Sequence, residues 1–135
     1  MQTQTYLFFD GRTEEALDFY KKTLGIEVET LMRFKDVPGP SDPNCPPPKN
    51  PNAVMHSSFK LGDQRVMASD GDSGGKPEFR GFSLTLAVNT EADKLFAALS
   101  DGGQVQQPLM KTFFSPKFGM VQDKFGMNWM VLVGQ

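Results

Sequence analysis

The sequence contains few residues able to do acid–base or metal chemistry. His56 is the single histidine among 135 residues. An imidazole can act as a general base or as a hydrogen-bond donor, but no Ser, Cys or carboxylate partner accompanies His56 at a motif spacing. One histidine also cannot assemble a usual zinc site. His56 is therefore the one catalytic candidate, and the alternative is a strand histidine that bonds the backbone or faces solvent.

A second polar candidate is Asp123, in the run Asp123-Lys124-Phe125-Gly126. This run lies between two apolar, β-forming stretches of residues 112–133. Asp can bond its own backbone and Gly can adopt a positive φ, so the pattern predicts a terminal hairpin. In such a turn an Asp organises the backbone more often than it catalyses a reaction.

Composition and charge limit the possible partners. The chain has 14 basic and 16 acidic residues and a formal net charge of −2, with no Lys/Arg cluster. A nucleic-acid or anionic-membrane binder would carry a basic patch, so neither partner is expected. No run approaches the roughly 18 apolar residues of a membrane span. The lone cysteine, Cys45, cannot form an internal disulfide, and together these features predict a cytoplasmic protein.

The first part of the chain, about 1–72, predicts one β-α-β-β-β module. A strand over 4–9 precedes a helix whose N-cap is expected to be Thr13 and whose apolar stripe ends at Gly25. Strands follow at 26–34, 54–61 and 64–69. Between them, residues 35–53 hold seven of the ten prolines and are expected to form a long surface loop.

The same order of elements begins again after a Gly-rich linker at about 70–80. A strand is predicted at 82–88, a helix starting with a capping-box-like Thr90, and three further strands over 104–133. A shift of 77 residues superposes Thr90 on Thr13, Phe96 on Phe19 and Gly102 on Gly25. Because helix start, stripe and stop all keep register, we infer an internal duplication, with a second module at about 81–135.

This duplication predicts the fold class. A β-α-β-β-β module has one helix to cover one sheet face, so the other face needs a partner. We expect an α+β domain over 1–135 in which two tandem βαβββ modules form a curved mixed sheet around a cleft, with the helices outside. Such a concavity is a default site for a small ligand.

Several motifs resemble those of a known superfamily. The run Leu17-Asp18-Phe19-Tyr20, followed by Leu24-Gly25, is similar to the signature of the vicinal oxygen chelate superfamily, which includes glyoxalase I, bleomycin-resistance proteins and extradiol dioxygenases. Further stretches resemble its PhnB/YjdN-like branch, also labelled 3-demethylubiquinone 3-methyltransferase-like: residues 55–59, 66–70 and 118–129. The resemblance implies the paired βαβββ fold, but it does not fix an activity.

The resemblance also assigns four positions where metal enzymes of the superfamily carry His, Glu or Gln. They fall at or near Thr5, Met67, Ser83 and Met130, and the match of Thr5 could slip by one residue. Two thioethers and two hydroxyls are neutral, weak donors for zinc, nickel, iron or manganese. No metal and no cofactor are predicted. The expected ligand-binding cleft consists of Thr5, Leu7, His56, Met67, Ser69, Ser83, Thr85, Asn128 and Met130.

Alternation along the last strand predicts which side chains reach this cleft. Trp129, Val131 and Val133 should lie on the helix-covered face, and Asn128, Met130 and Leu132 on the cleft face. We therefore expect Trp129 to be a core residue rather than part of a ligand-binding wall.

Three functions remain open. The first is a metal-free small-molecule binding protein, and the second is a glyoxalase- or dioxygenase-like enzyme, metal-dependent or using His56. The third is an interaction module with an incidental cleft. Methyl transfer from a nucleotide-type donor is not expected, because no Gly-rich strand-to-helix turn occurs. A homodimer is expected, because each module leaves sheet edges and apolar surface to be covered.

Overall fold

The structure is a computed structural model in which residues 1–36, 50–71 and 77–134 are described. Its chain forms two compact units, Met1–Pro77 and Glu78–Gln135, which we call unit 1 and unit 2. Most of the proline-rich segment, including Cys45, lies outside the described residues, as does much of the predicted linker. No helix in the described ranges is long and apolar enough to cross a membrane.

Unit 1 is a four-stranded mixed sheet covered by one helix. Its order is β1 (Thr5–Phe8), α1 (Thr13–Leu24), β2 (Glu27–Arg33), β3 (Val54–Leu61) and β4 (Gln64–Ser69). A short 3₁₀ turn, Phe34–Asp36, follows β2. In space the strands lie in the order β1-β4-β3-β2, with β1 parallel to β4 and the other pairs antiparallel.

Unit 2 repeats this arrangement. Its elements are β5 (Leu84–Val88), α2 (Ala92–Ser100), β6 (Gln104–Met110), β7 (Phe118–Gln122) and β8 (Asn128–Val133). The sheet order is β5-β8-β7-β6, with β5 parallel to β8. The predicted α+β class and the repeated βαβββ order are confirmed.

Each helix covers one face of its own sheet, and we call the opposite face the far face of that unit. In unit 1 the Phe9 ring lies 6.3 Å from the Tyr20 ring of α1. In unit 2 Gly119 lies under the Phe96 ring of α2, because a Cβ added at this glycine would come within 2.7 Å of that ring. Buried apolar residues from helix and sheet form the cores: Leu7, Phe9, Ala16, Leu17, Phe59, Val66, Phe96, Leu99, Val121, Trp129 and Val131.

The start of α1 is held by a distant carboxylate instead of the predicted Thr13 cap. Asp70, just after β4, accepts hydrogen bonds from the backbone N–H groups of Gly11 (3.0 Å), Thr13 (2.9 Å) and Val54 (2.8 Å). Thr13 is the first helical residue, and its buried hydroxyl has no partner among the described residues. The N-cap prediction was wrong because Asp70 supplies the acceptor from across the fold.

The predicted cap of α2 was also wrong. The helix starts at Ala92, two residues after Thr90, and the preceding Glu91 adopts a left-handed conformation with φ of 65°. No side chain caps this end. The predicted helix stops are confirmed, because Gly25 and Gly102 both have positive φ at the ends of the helices.

The terminal hairpin is organised by Asp123, as predicted. One carboxylate oxygen accepts from the N–H groups of Phe125 (2.9 Å) and Met127 (3.0 Å), and the other accepts from the indole N–H of Trp129 (2.8 Å). Trp129 is 1% exposed, which confirms it as a core residue. Asp123 therefore joins the β7–β8 turn to the core of unit 2.

Candidate functional site

The far face of unit 1 collects the side chains best able to meet a ligand. Tyr6 on β1 pairs with Met67 on β4, and Met67 pairs with Ser58 on β3. His56 lies two residues from Ser58 and pairs with Met32 on β2. Because directly paired residues point to the same side of a sheet, these side chains share one face.

A hydrogen bond joins Tyr6 to His56 across this face. The Tyr6 hydroxyl lies 3.0 Å from Nδ1 of His56. Strand β4 runs between the strands that carry them, so the two backbones are two strand spacings apart, about 9–10 Å. The phenol ring therefore reaches over β4 to meet the imidazole. Both side chains are half-buried, so the pair is partly accessible to solvent.

Apolar groups surround the pair. The Tyr6 ring centroid is 5.0 Å from that of Phe8 and 5.7 Å from that of His56. Phe8 is 51% exposed, which is high for a phenylalanine and leaves part of its ring accessible next to Tyr6. Met67, half-buried, lies between Tyr6 and β3 as adaptable apolar surface.

The other end of the far face is charged. Arg65, two residues before Met67 on β4, donates a 2.8 Å hydrogen bond to the carboxylate of Glu29 on β2. This bond holds the pKa of Glu29 below its usual range and raises that of Arg65. The far face of unit 1 thus combines an aromatic end containing the imidazole with an ionic end.

The predicted residues Thr5 and Leu7 lie on the opposite face. Thr5 pairs with Val66 and Leu7 with Ala68, and both of these partners are buried in the helix-covered core. Leu7 itself is 2% exposed. The prediction that Thr5 and Leu7 share a face with Met67 was wrong by one residue. Side chains alternate between the two faces along a strand, and Tyr6 is the residue on the face of Met67. His56, Met67 and Ser69 do share a face by alternation, with Ser69 buried.

The four predicted residues of unit 2 fall on or next to its far face. Thr85 pairs with Met130, and Asn128 lies two residues from Met130 on β8. Ser83 immediately precedes β5. The Asn128 amide donates to the backbone carbonyl of Phe79 and so holds the segment before β5. That Met67 and Met130 meet in one cleft stays a prediction.

Sheet register also refines the four positions related to metal ligands. Ser83 stands two residues before Thr85, the partner of Met130. In unit 1 the residue that pairs with Met67 is Tyr6, and the residue two positions before Tyr6 is Gln4. Gln4 therefore takes the place of Thr5 among the four positions.

The refined set does not fit a transition metal. It offers the amide of Gln4, a residue type that the metal enzymes of the superfamily also use, but its other donors are a hydroxyl and the thioethers of Met67 and Met130. None of the four is the imidazole, thiolate or carboxylate that usually holds zinc, nickel, iron or manganese. Over the described ranges, no three His, Cys, Asp or Glu side chains group as a metal site. We therefore derive no chemistry through a metal at these positions.

Tyr6 and Phe8 are the functional candidates that sequence reasoning missed. Both lie in the first apolar run, where every residue is compatible with a strand, and no polar alternation marks which side faces the helix. Phe9 is buried in the structure, so residue 7 lies on the same side and residues 6 and 8 on the other, but no sequence signal distinguishes Phe9 from Phe8 as the core residue.

Comparison with known proteins supports the superfamily resemblance. The sequence model of a family described as 3-demethylubiquinone-9 3-methyltransferase matches residues 1–132. Protein YjdN of Escherichia coli strain K12 is 31% identical over 140 residues, covering 98% of this chain and 95% of that protein. The chain belongs to this family. It lies within the vicinal oxygen chelate superfamily, in the YjdN-like branch.

Solved structures agree with this assignment. Protein PA1353 from Pseudomonas aeruginosa is 37% identical, with a TM-score of 0.83 over 100% of this chain and 98% of that one. The fosfomycin resistance protein FosX from Listeria monocytogenes has a TM-score of 0.66 over 100% of this chain and 93% of that one. Because FosX is only 9% identical, its likeness concerns the fold alone.

Proposed function

We propose that the protein binds a small molecule on the far face of unit 1, without a bound transition metal. The observation that carries the proposal is the hydrogen-bonded Tyr6–His56 pair beside the exposed Phe8 ring and the half-buried Met67. A few polar groups set in an apolar surface are typical of small-molecule sites. The neutral donors at the four ligand-related positions support the metal-free part.

Methyl transfer, which the family description names, is not part of this proposal. Nucleotide-type methyl donors are usually bound by a Gly-rich turn between a parallel strand and a helix. Here the corresponding β1–α1 turn is short, and the N–H groups of Gly11 and Thr13 are already bonded to Asp70. That turn has no free helix-terminal amides at these two positions to offer a cofactor.

The same pair favours acid–base catalysis as a second candidate. An imidazole bonded to a phenol can take a proton at one ring nitrogen while the other is held in place. Catalysis would require that a bound molecule leave chemically changed. Incubating each ligand with wild-type protein and with His56→Leu, followed by mass spectrometry, separates the functions. Unchanged ligand supports binding alone, and a change lost in His56→Leu supports an enzyme.

We further propose a cytoplasmic homodimer. Strand β6 is an edge strand, and exposed apolar side chains cluster in and after it: Met110 is 50%, Phe113 101% and Phe114 55% exposed. Exposed edges and apolar patches of this kind are commonly covered by another chain. Light scattering should give about twice the monomer mass. A monomer mass at micromolar concentration would contradict the dimer.

The binding proposal is tested by a fragment screen with matched variants. Ligand-observed NMR with small aromatic fragments should give hits whose affinity falls about tenfold or more in Phe8→Ser. Phe114 is similarly exposed but lies in unit 2, so Phe114→Ser serves as the control and should keep those affinities. Hits equally affected by both variants, or a complete absence of hits, would contradict the proposal.

Purification without chelators followed by elemental analysis tests the metal-free part. We expect far less than one equivalent of zinc, nickel, iron or manganese per chain. Stoichiometric metal that is lost in His56→Ala would overturn this part and favour a metalloenzyme.

A further inference from the structure

We propose a second binding site on the far face of unit 2, for a neutral flat ring that carries an N–H donor, such as a primary carboxamide. The site is built on the side-chain amides of Gln106 on β6, Gln122 on β7 and Asn128 on β8, which we call the amide cluster. The proposal does not depend on ligand binding in unit 1. It comes from comparing one end of this face with the matching end of unit 1.

The amide cluster repeats a cross-strand contact of unit 1 without its charges. In unit 1 Glu29 of β2 reaches over β3 and accepts a 2.8 Å bond from Arg65 of β4. In unit 2 Gln106 of β6 reaches over β7 to the amide oxygen of Asn128 on β8, at 3.5 Å. The shift of 77 residues superposes Glu29 on Gln106, and each lies at a break in the register of its edge strand. Unit 2 therefore keeps the contact and replaces both charged groups by amides.

The two contacts differ in how easily a ligand can replace them. The bond between Arg65 and Glu29 is short and joins opposite charges, so each group satisfies the other and a ligand gains little by separating them. A separation of 3.5 Å is at the outer limit for an N–H donor and an oxygen acceptor. A ligand donor can therefore displace the Gln106 amide from Asn128 at small cost.

The two inner amides offer oxygen atoms to a ligand. The Asn128 nitrogen donates to the backbone carbonyls of Phe79 and Phe82. The Gln122 nitrogen donates to the carbonyl of Gly126 at 3.3 Å. Because carbonyls only accept, these bonds fix which end of each amide is nitrogen. The Gln122 oxygen bonds no residue in the described part of the chain, so an N–H group of a ligand supplies the donor that this half-buried side chain lacks.

The sheet of unit 2 determines the charge of the ligand. Its four strands, all within the described ranges, contain no Asp, Glu, Lys, Arg or His. A charged group held on this face would lose hydration without meeting an opposite charge, which costs more free energy than one neutral hydrogen bond returns. The face therefore favours a neutral ligand.

Apolar groups beside the amide cluster fit a flat ring. The bonds of Asn128 place the rings of Phe79 and Phe82, whose centroids are 6.3 Å apart, next to the cluster. Phe82 is 46% exposed, so part of its ring is accessible. Met130 lies two residues from Asn128 and pairs with Met120, and both thioethers are half-buried. Aromatic rings and thioethers both contact a flat aromatic ligand favourably.

The test uses three probes of similar shape. Benzamide carries the N–H donor, acetophenone has a methyl group in place of the amide nitrogen, and benzamidine is a cation. Their dissociation constants should be measured by NMR titration for wild type and each variant. Wild type should bind benzamide more tightly than benzamidine, because no carboxylate lies in the strands of this face.

Two variants of Gln122 separate the donor from the charge. Gln122→Met removes the amide at nearly constant length, so the Kd of acetophenone divided by that of benzamide should fall about three- to tenfold, the range of one neutral hydrogen bond. Gln122→Glu keeps an acceptor and adds a negative charge, so it should improve the binding of benzamidine relative to benzamide about tenfold.

A matched control comes from unit 1. Lys60 pairs with Arg65 as Gln122 pairs with Asn128, so Lys60→Met changes the same register position and should leave both ratios unchanged. Circular dichroism verifies that each variant is folded.

Each outcome decides one part of the proposal. A ratio of acetophenone to benzamide that Gln122→Met leaves unchanged would overturn recognition of the N–H donor. Tighter binding of benzamidine than of benzamide by wild type would overturn the neutral class of ligand. A ratio that responds to Lys60→Met instead would place the probes in unit 1 and overturn the second site. Failure of wild type to bind benzamide at millimolar concentration would overturn the whole proposal, while the site in unit 1 is tested separately by Phe8→Ser.

Discussion

The two units share one topology but fix their turns and helices with different carboxylates. In unit 1 Asp70, placed after β4, connects the start of α1 to the start of β3. In unit 2 Asp123 lies inside the β7–β8 turn and bonds Trp129, while α2 has no side-chain cap. The two units therefore resemble each other more in the arrangement of their elements than in the interactions that hold it.

The far faces differ as well. Unit 1 presents a phenol and an imidazole bonded to each other, whereas the matching strand position in unit 2 is the exposed Thr85. The far face of unit 2 carries other polar side chains, such as Gln122 and Asn128, which pair with each other, but unit 2 contains neither histidine nor tyrosine. Matched substitutions in the two units should therefore have different effects.

The largest effects should come from the two buried carboxylates. Asp70→Ala leaves three backbone donors without their acceptor, and Asp123→Ala leaves two backbone donors and an indole. Each should lower the free energy of unfolding by roughly 3 kcal/mol or more. Urea denaturation measures the loss, and Asp18→Asn, an exposed helix position, serves as the control.

Hydrogen exchange measures which amides of each unit lose protection in the two variants. Asp70→Ala should first expose amides at the start of α1 and β3, and Asp123→Ala those of β7 and β8. A loss of less than 1 kcal/mol in either variant would contradict the role assigned to that carboxylate.

Matched positions in the two sheets should not be interchangeable. Gly119 of β7 pairs with Val131, as Ser57 of β3 pairs with Ala68. A Cβ at Gly119 would lie 2.7 Å from the Phe96 ring, so Gly119→Ala should cost about 1–3 kcal/mol. Thermal denaturation measures this cost.

The comparison variant for this position is Ser57→Ala. It removes the 2.7 Å bond from the Ser57 hydroxyl to the Ala68 carbonyl and should cost about 1 kcal/mol. If Gly119→Ala were as stable as wild type, α2 would not approach β7 as closely as described.

Replacing Thr13 should change the stability in the opposite direction to replacing a residue that caps a helix. Loss of a capping Thr lowers the free energy of unfolding by about 1 kcal/mol. Because the buried hydroxyl of Thr13 has no partner among the described residues, Thr13→Val should leave stability unchanged or raise it by up to about 1 kcal/mol. Thr90→Val, at an exposed position before α2, should be neutral. Destabilisation in Thr13→Val would restore the capping role.

The smallest effect concerns the ion pair of unit 1. Because Arg65 lowers the pKa of Glu29 from 4.5, the stabilisation from Glu29 is fully present above that pH and is lost as the pH falls through the folded value. The stability difference between wild type and Glu29→Gln should therefore shrink on acidification below 4.5. Urea denaturation across this range measures it.

The control for this experiment is Glu27→Gln. Glu27 is exposed and forms no ion pair in the described part of the chain. A difference between wild type and Glu29→Gln that does not change with pH would contradict the pairing.

Local sequence signals predicted most of the fold. The helix stops at Gly25 and Gly102 and the Asp123 hairpin depend on nearby residues, and strands β3 and β4 have their predicted bounds. The cap of α1 was predicted wrongly because Asp70 reaches this helix from 57 residues away. No local pattern reports such a contact.

The candidate site was predicted only in part for a related reason. Met67 and His56 share a face, whereas Thr5 and Leu7 lie on the opposite one. The run Thr5–Phe8 has no alternation of polar and apolar residues that would show which side faces the helix. The Tyr6–His56 bond spans an intervening strand, so it depends on sheet order, which alternation along a strand cannot supply.

The most direct test of the central claim is a titration of methyl-¹³C methionine protein with p-cresol, monitored by NMR. Met67 lies beside Tyr6 on the far face of unit 1, whereas Met127 is fully buried in unit 2 and serves as an internal control. The Met67 resonance, assigned with Met67→Leu, should shift saturably and require a higher ligand concentration in Phe8→Ser. A Met67 resonance that stays unmoved up to millimolar p-cresol would contradict the claim that this face binds the ligand.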